Sequence, residues 1–147
     1  MEKLNFGEEM TRILPRLLRE FTSKQDSILA KGKIAIPHVV ILDVLKEKES
    51  STMGELAKIL NLTMSAVTVI IDKMIELGFV KRERSKEDRR IVNVMLAKKG
   101  KELAEEVNKE RRNMANDIFS VLTGKEKEEY LRLISKVYES LEVGDEK

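Results

Sequence analysis

The densest chemistry in the chain lies between Lys81 and Arg90. Lys81, Arg82, Arg84, Lys86, Arg89 and Arg90 put six cations within ten residues, against Glu83, Glu87 and Asp88. That local excess of three positive charges is larger than the +2 of the whole chain, so the charge is gathered in one place. Exposed guanidinium and ammonium groups suit phosphates, and an arginine at a hairpin tip suits the electronegative floor of a narrow minor groove. The plainer alternative is an ordinary polar turn, with Asp88 beside Arg89 and Arg90 as a surface ion pair of little energetic weight.

A second group is small and polar. Thr63, Ser65 and Thr68 stand at the leading end of a segment, Met64 to Leu77, in which Val67, Ile70, Ile71, Met74 and Ile75 repeat with helical period. Short hydroxyl side chains leave room for a helix to approach base edges in a DNA major groove about 12 Å wide. Taken alone they also fit the solvated face of a core helix.

Other chemistries lack their residues. There is no Cys, which excludes disulfides, iron–sulfur clusters, thiolate zinc sites and thiol redox switching, and His38 is the sole histidine. No glycine-rich phosphate cradle and no nucleophile–base pair stand out. The expectation is a non-enzyme with no cofactor and no metal, an all-carboxylate site being left open. The start of the chain has no apolar run of the signal type, and no stretch approaches ~18 apolar residues, so a cytoplasmic protein without a membrane partner is expected.

The elements that must hold these groups can be traced from the periodicity. Met10, Ile13, Leu14, Leu17, Leu18 and Phe21 form one stripe of a helix from Glu8 to Ile28, which Pro15 should kink or split and Lys31-Gly32-Lys33 should end. Pro37 suits the first turn of a second helix through Leu45, and Glu47 to Ser51 reads as a connection. Thr52-Met53-Gly54-Glu55 has capping-box form and opens a short third helix. Thr63 can cap the fourth, and Gly78 suits its left-handed stop. Phe79 to Arg84 and Ile91 to Leu96 then read as the strands of a hairpin. After Gly100 comes a long helix through Val121, and Thr123 to Glu126 forms another capping box before the last helix. The tail Val143 to Lys147 should fray.

This order is mostly α, in the α+β class: a winged helix-turn-helix flanked by N- and C-terminal helices. Residues 1–147 read as a single domain, with a DNA-binding lobe at 34–97 and a dimerisation lobe at 1–33 and 98–143. The apolar stripes of the terminal helices are too long for one small chain to bury, which points to a homodimer.

Several stretches together resemble the multiple-antibiotic-resistance regulator (MarR) family. They are Glu55-Leu56-Ala57, the Thr63–Leu77 helix, Gly78-Phe79-Val80-Lys81-Arg82, Glu87-Asp88-Arg89-Arg90 and Leu96-Ala97-Lys98-Lys99-Gly100. The resemblance covers nearly the whole chain. One departure is Ala97, where the family usually has Thr, which leaves the cap of the fifth helix in doubt. The resemblance implies a homodimeric transcription regulator on near-palindromic double-stranded DNA, commonly a repressor relieved by a small aromatic or phenolic effector. It implies that Arg90 enters the minor groove, that Asp88 fixes the wing, and that Thr63, Ser65, Thr68 and Lys73 face the major groove or its phosphates. Arg82, Arg84, Lys86 and Arg89 are expected to be flanking phosphate contacts. Met10, Leu14, Leu17, His38 and Arg111 are candidates for the effector pocket, each with a plainer role in packing or as a snorkelling surface group. A winged-helix protein-interaction module without specific DNA binding is the rival reading.

Overall fold

The computed structural model describes residues 5–32 and 34–145, and local caps explain where its helices begin. Asn5 Oδ1 accepts the Glu8 N–H at 3.2 Å, and α1 spans Phe6–Gly32. It starts a little earlier than the periodicity suggests. It also does not split at Pro15, because a single missing N–H interrupts only one rung and the turns on either side continue. Lys33, part of the expected stop, lies outside the described residues. Helix α2 spans Ile36–Lys48 with Pro37 in its first turn, and His38 Nδ1 accepts the Ala35 N–H at 2.9 Å.

The stretch read as a plain connection contains a strand. Ser50–Thr52 forms β1, antiparallel to β3 (Val92–Leu96), and β2 (Val80–Arg84) pairs on the other side of β3 to give the order β1-β3-β2. Three residues are too few to show an alternating pattern, so no periodicity betrayed it. Thr52 then caps α3 (Met53–Leu60) as expected. Its Oγ1 accepts the Glu55 N–H at 3.1 Å, and the Glu55 carboxylate accepts the Thr52 N–H at 3.3 Å. The buried Ser51 hydroxyl also donates to that carboxylate at 2.8 Å. Ser51 first, and Thr52 second, hold the Glu55 carboxyl below its ordinary value.

Asn61 closes α3 in the left-handed region (φ 53°, ψ 46°), a conformation that asparagine tolerates. Helix α4 (Met64–Glu76) follows at 108° to α3, capped by Thr63 Oγ1, which accepts the Ala66 N–H at 3.2 Å. Gly78 adopts φ +81° at its end. Helix α5 spans Lys98–Ile118, so it begins before Gly100 and ends before Val121, and α6 spans Gly124–Asp145. The last helix runs on through Val143, where fraying was expected; Glu146 and Lys147 lie outside the described residues. No single helix among the described residues is long and apolar enough to cross a membrane.

The chain divides into two compact units, Met1–Arg111 and Arg112–Lys147. In the first, one core joins Ile41, Leu42 and Leu45 of α2, Leu56 of α3, Val67, Ile71 and Met74 of α4, Val80 and Val94 of the sheet, and Ala104 and Val107 of α5. Leu→Ala at such positions costs about 2–5 kcal/mol. In the second unit the Phe119 and Tyr130 rings pack at 5.0 Å, while Leu131, Val137, Tyr138 and Leu141 of α6 are exposed.

The tightest point of the first unit is Phe79. Its N–H donates to Met74 O at the end of α4, its carbonyl accepts the Ala97 N–H at 2.9 Å, and its ring lies under the Lys99 ammonium at 5.5 Å. Ala97 offers no side-chain cap, and this backbone bond orders the entry to α5 from the other side. Gly100 passes so close that a Cβ there would overlap the Phe79 carbonyl. Gly100→Ala is therefore expected to destabilise by about 3 kcal/mol, because backbone rather than a flexible side chain must move. Gly124→Ala, with open space around it, should be neutral or gain about 0.5 kcal/mol. Urea denaturation of both variants measures the contrast, and equal stabilities would remove the steric argument.

Candidate nucleic-acid interface

The rotation of α4 is fixed by its buried residues. Val67, Ile71 and Met74 have no exposed surface, which turns Ser65, Asp72, Lys73 and Glu76 outward. The expected polar residues are not equivalent there. Thr63 Oγ1 is occupied as the helix cap, and the half-buried Thr68 donates its hydroxyl to Met64 O at 2.8 Å. Ser65 presents its hydroxyl outward. Lys73 lies 3.7 Å from Glu76, one turn along the same helix.

In the hairpin, Val80 pairs with Leu96, Arg82 with Val94 and Arg84 with Val92. Residues directly opposite share a face, so Arg82 starts from the same side of the sheet as the buried Val80, Val94 and Leu96. From there its guanidinium reaches Asp72 of α4 in an ion pair. A pair this exposed contributes about 0–1 kcal/mol; its consequence is geometric, tying the first wing strand to the outward face of α4. Composition shows Asp72 only as one of many acids, and the pairing needs the fold to bring residues 72 and 82 together.

The wing tip is ordered by two side chains. Ser85 Oγ accepts the N–H groups of Glu87 and Asp88 at 3.3 and 3.4 Å. Asp88 Oδ1 accepts the Arg90 N–H at 3.0 Å, while Arg90 Nε and Nη2 donate to the same carboxylate at 3.2 and 3.3 Å. The Ser85 N–H to Ile91 O bond, at 2.9 Å, closes the loop. Sequence reading did not give Ser85 this part, although a serine opening a polar turn is a known local signal. Arg90 itself stays 91% exposed, held at its base and free at its outer surface. Arg84, Ser85, Lys86 and Arg89 line one surface hollow of about 590 Å³ on the wing, so three of the predicted phosphate-contacting cations converge there.

The five residues expected at an effector pocket are engaged separately. Met10 and Leu14 are exposed on α1 and Leu17 is partly so. His38 is half-buried at the start of α2; burial first, and the charge of Lys73 in addition, hold its imidazole below the ordinary value. Arg111 Nη1 donates to both carboxylate oxygens of Asp43 at 3.0 Å. Asp43, absent from the sequence reading, thus already engages the Nη1 end of the guanidinium. Among the described residues no group of three or more His, Asp or Glu side chains could hold a metal ion.

The Asp88 carboxyl is held below its ordinary value of 3.8, first by the Arg90 guanidinium and then by the Arg90 N–H. A depressed folded value means that the stabilisation of the tip is complete above the unfolded value. It is lost as the pH falls through the lower folded one. Carboxyl-carbon NMR should therefore show Asp88 titrating below an unfolded reference. In Arg90→Ala its midpoint should rise part of the way, since the backbone N–H remains. A midpoint indifferent to that substitution would separate Asp88 from Arg90.

The central region of the chain, residues 34–92, matches the family model described as MarR family. The organic hydroperoxide resistance transcriptional regulator of Bacillus subtilis (strain 168) is 31% identical over 84% of this chain and 81% of its own length. Among solved structures, a MarR family protein from Bacillus stearothermophilus superposes with a TM-score of 0.85 at 24% identity, covering 96% of this chain and 99% of that one. A mutant MarR from E. coli, complexed with operator DNA, superposes with a TM-score of 0.68 at 22% identity over 92% and 99% of the two chains. With its central segment, its long relative and its winged fold in agreement, the chain belongs to the MarR family of helix-turn-helix transcription regulators.

Proposed function

We propose that the protein is a homodimeric, sequence-specific double-stranded DNA-binding repressor that acts in the cytoplasm on a near-palindromic operator and has no catalytic activity. The observation that carries this reading is the pairing of two groove-directed surfaces on one frame. The outward face of α4 and the Asp88-ordered wing with its projecting Arg90 are joined by Asp72 and Arg82. In the DNA-binding lobe, residues 34–97, Ser65 and Lys73, with Thr63 and Thr68 at the helix edge, meet the major groove or its phosphates. Arg82, Arg84, Lys86 and Arg89 meet phosphates, and Arg90 enters the minor groove. The operator-bound E. coli relative with the same fold supports this assignment.

The terminal helices, residues 1–33 and 98–143, form the dimer. Support comes from the apolar residues that α1 and α6 leave in water, among them Phe6, Ile13, Leu18, Val137 and Leu141. A twofold pair places two α4 helices about 34 Å apart, one turn of the duplex. A small aromatic or phenolic effector, bound near Met10, Leu14, Leu17, His38 and Arg111, releases the DNA by favouring a different spacing. An acidic effector at Arg111 would share the guanidinium with Asp43 or compete with it.

Fluorescence anisotropy against duplex from upstream of the protein's own gene, beside a scrambled duplex, tests the reading. Binding should prefer the native duplex and weaken steeply with salt, by about 0.9 log unit per phosphate contact for each decade of salt. Arg90→Ala should weaken it about tenfold, and Lys86→Ala should reduce the salt slope by about one. Equal binding to both duplexes, indifferent to Arg90, would instead favour a protein-interaction module.

A further inference from the structure

At 100° per residue, the direction opposite the buried line of Val67, Ile71 and Met74 falls on residue 69, with Ser65 four residues before it and Asp72 three residues after. Val69 is 69% exposed at that outermost point. It lies outside the hydrophobic core of the described residues. Valine is also a weaker helix former than the Lys and Glu that fill most outward helix positions here, because its branched Cβ restricts χ1. Both the backbone and the exposed apolar surface count against it.

The neighbouring polar groups sharpen the point. Thr63 Oγ1 already accepts the Ala66 N–H, Thr68 already donates to Met64 O, and Asp72 is held by Arg82. The centre of the outward face therefore offers a hydroxyl, on Ser65, beside a bare isopropyl group. In a B-DNA major groove the apolar feature that such a group can meet is the C5 methyl of thymine.

We propose that Val69 is a specificity-determining residue, which packs its methyl groups against the 5-methyl of one thymine in each half-site. The inference rests on α4 entering a major groove, as set out above, and adds which base it selects there. It is a hydrophobic contribution to readout, made by desolvating a methyl group rather than by a hydrogen bond, so it adds no salt dependence.

The test begins with selection of duplexes from a randomised pool by the full-length protein, followed by titration of the enriched sequence. Each thymine in the half-site is then replaced singly by deoxyuridine, which pairs identically and lacks only the methyl. For the wild-type protein, one position should weaken binding about fourfold when changed in one half-site and about fifteenfold when changed in both, as expected for losing one buried methyl per site. Val69→Ala should already have lost that increment. It should respond to deoxyuridine by less than about 1.5-fold, keep the same salt slope, and select a pool relaxed at that position. Circular dichroism melting confirms that the variant is folded. A wild type tolerant of deoxyuridine at every thymine, a half-site without thymine, or equal responses from wild type and variant would overturn the role of Val69 while leaving groove binding intact. A pool that never enriches would overturn the groove reading itself, and this inference with it.

Discussion

The approach of Gly100 to the backbone of Phe79 is the contact on which the rest of the first unit depends. Three elements meet there. The Phe79 N–H closes the end of α4, its carbonyl receives the first amide before α5, and β2 begins at the next residue. Only a residue without a Cβ lets α5 start this close. The direction of α5 is thus set by the same peptide group that ends α4. Because interiors are close-packed and yield in discrete steps rather than smoothly, displacing α5 must disturb the end of α4. On the proposed reading, that contact would couple the helices that associate to the helix that reads DNA.

Electrostatics divides five of the six cations of the hairpin, all but Lys81, into two kinds. Arg82 and Arg90 each meet a carboxylate, Asp72 and Asp88, and each pair sets a position: the first of the wing strand on α4, the second of the wing tip. Arg84, Lys86 and Arg89 gather around one hollow. Counting charges along the segment treats all six alike. The acids within and near it do not simply dilute the positive charge, because they decide which cations are aimed and which are gathered. Arg90 belongs to both descriptions, since its backbone and the inner edge of its guanidinium are held while most of its surface remains in water.

Most of the fold was legible because its signals were local. The Thr52 capping box, the Thr63 cap, the Gly78 stop and the change of period after Phe79 each depend on residues a few positions apart, and each appears in the structure. What escaped was non-local or below the length at which a pattern exists. The strand Ser50–Thr52 is defined only by its partner β3. Asp43 meets Arg111 across 68 positions of sequence, and Asp72 meets Arg82 across the end of a helix. Pro15 shows a different limit. Its missing N–H removes one rung, and the turns on either side carry the helix through. Helix α5 begins at Lys98, ahead of Gly100, and the reason for that glycine, a close approach to the Phe79 backbone, is likewise non-local.

Val69 stands between these cases. The helical period of α4 already puts it on the face away from Val67, Ile71 and Met74, with Ser65, Thr68 and Asp72. The structure adds that it is left largely in water at the outermost point of that face. On the proposed reading, a chain with a net charge of only +2 draws most of its attraction for a duplex from the wing, and that attraction does not distinguish sequences. Discrimination then has to come from short-range contacts of about one methyl's worth, and one such contact is too weak to select a site. Two α4 helices on a twofold axis multiply its effect, so on this reading association and specificity are one requirement. On that proposal, the apolar faces that α1 and α6 leave in water and the exposed Val69 of α4 serve one requirement.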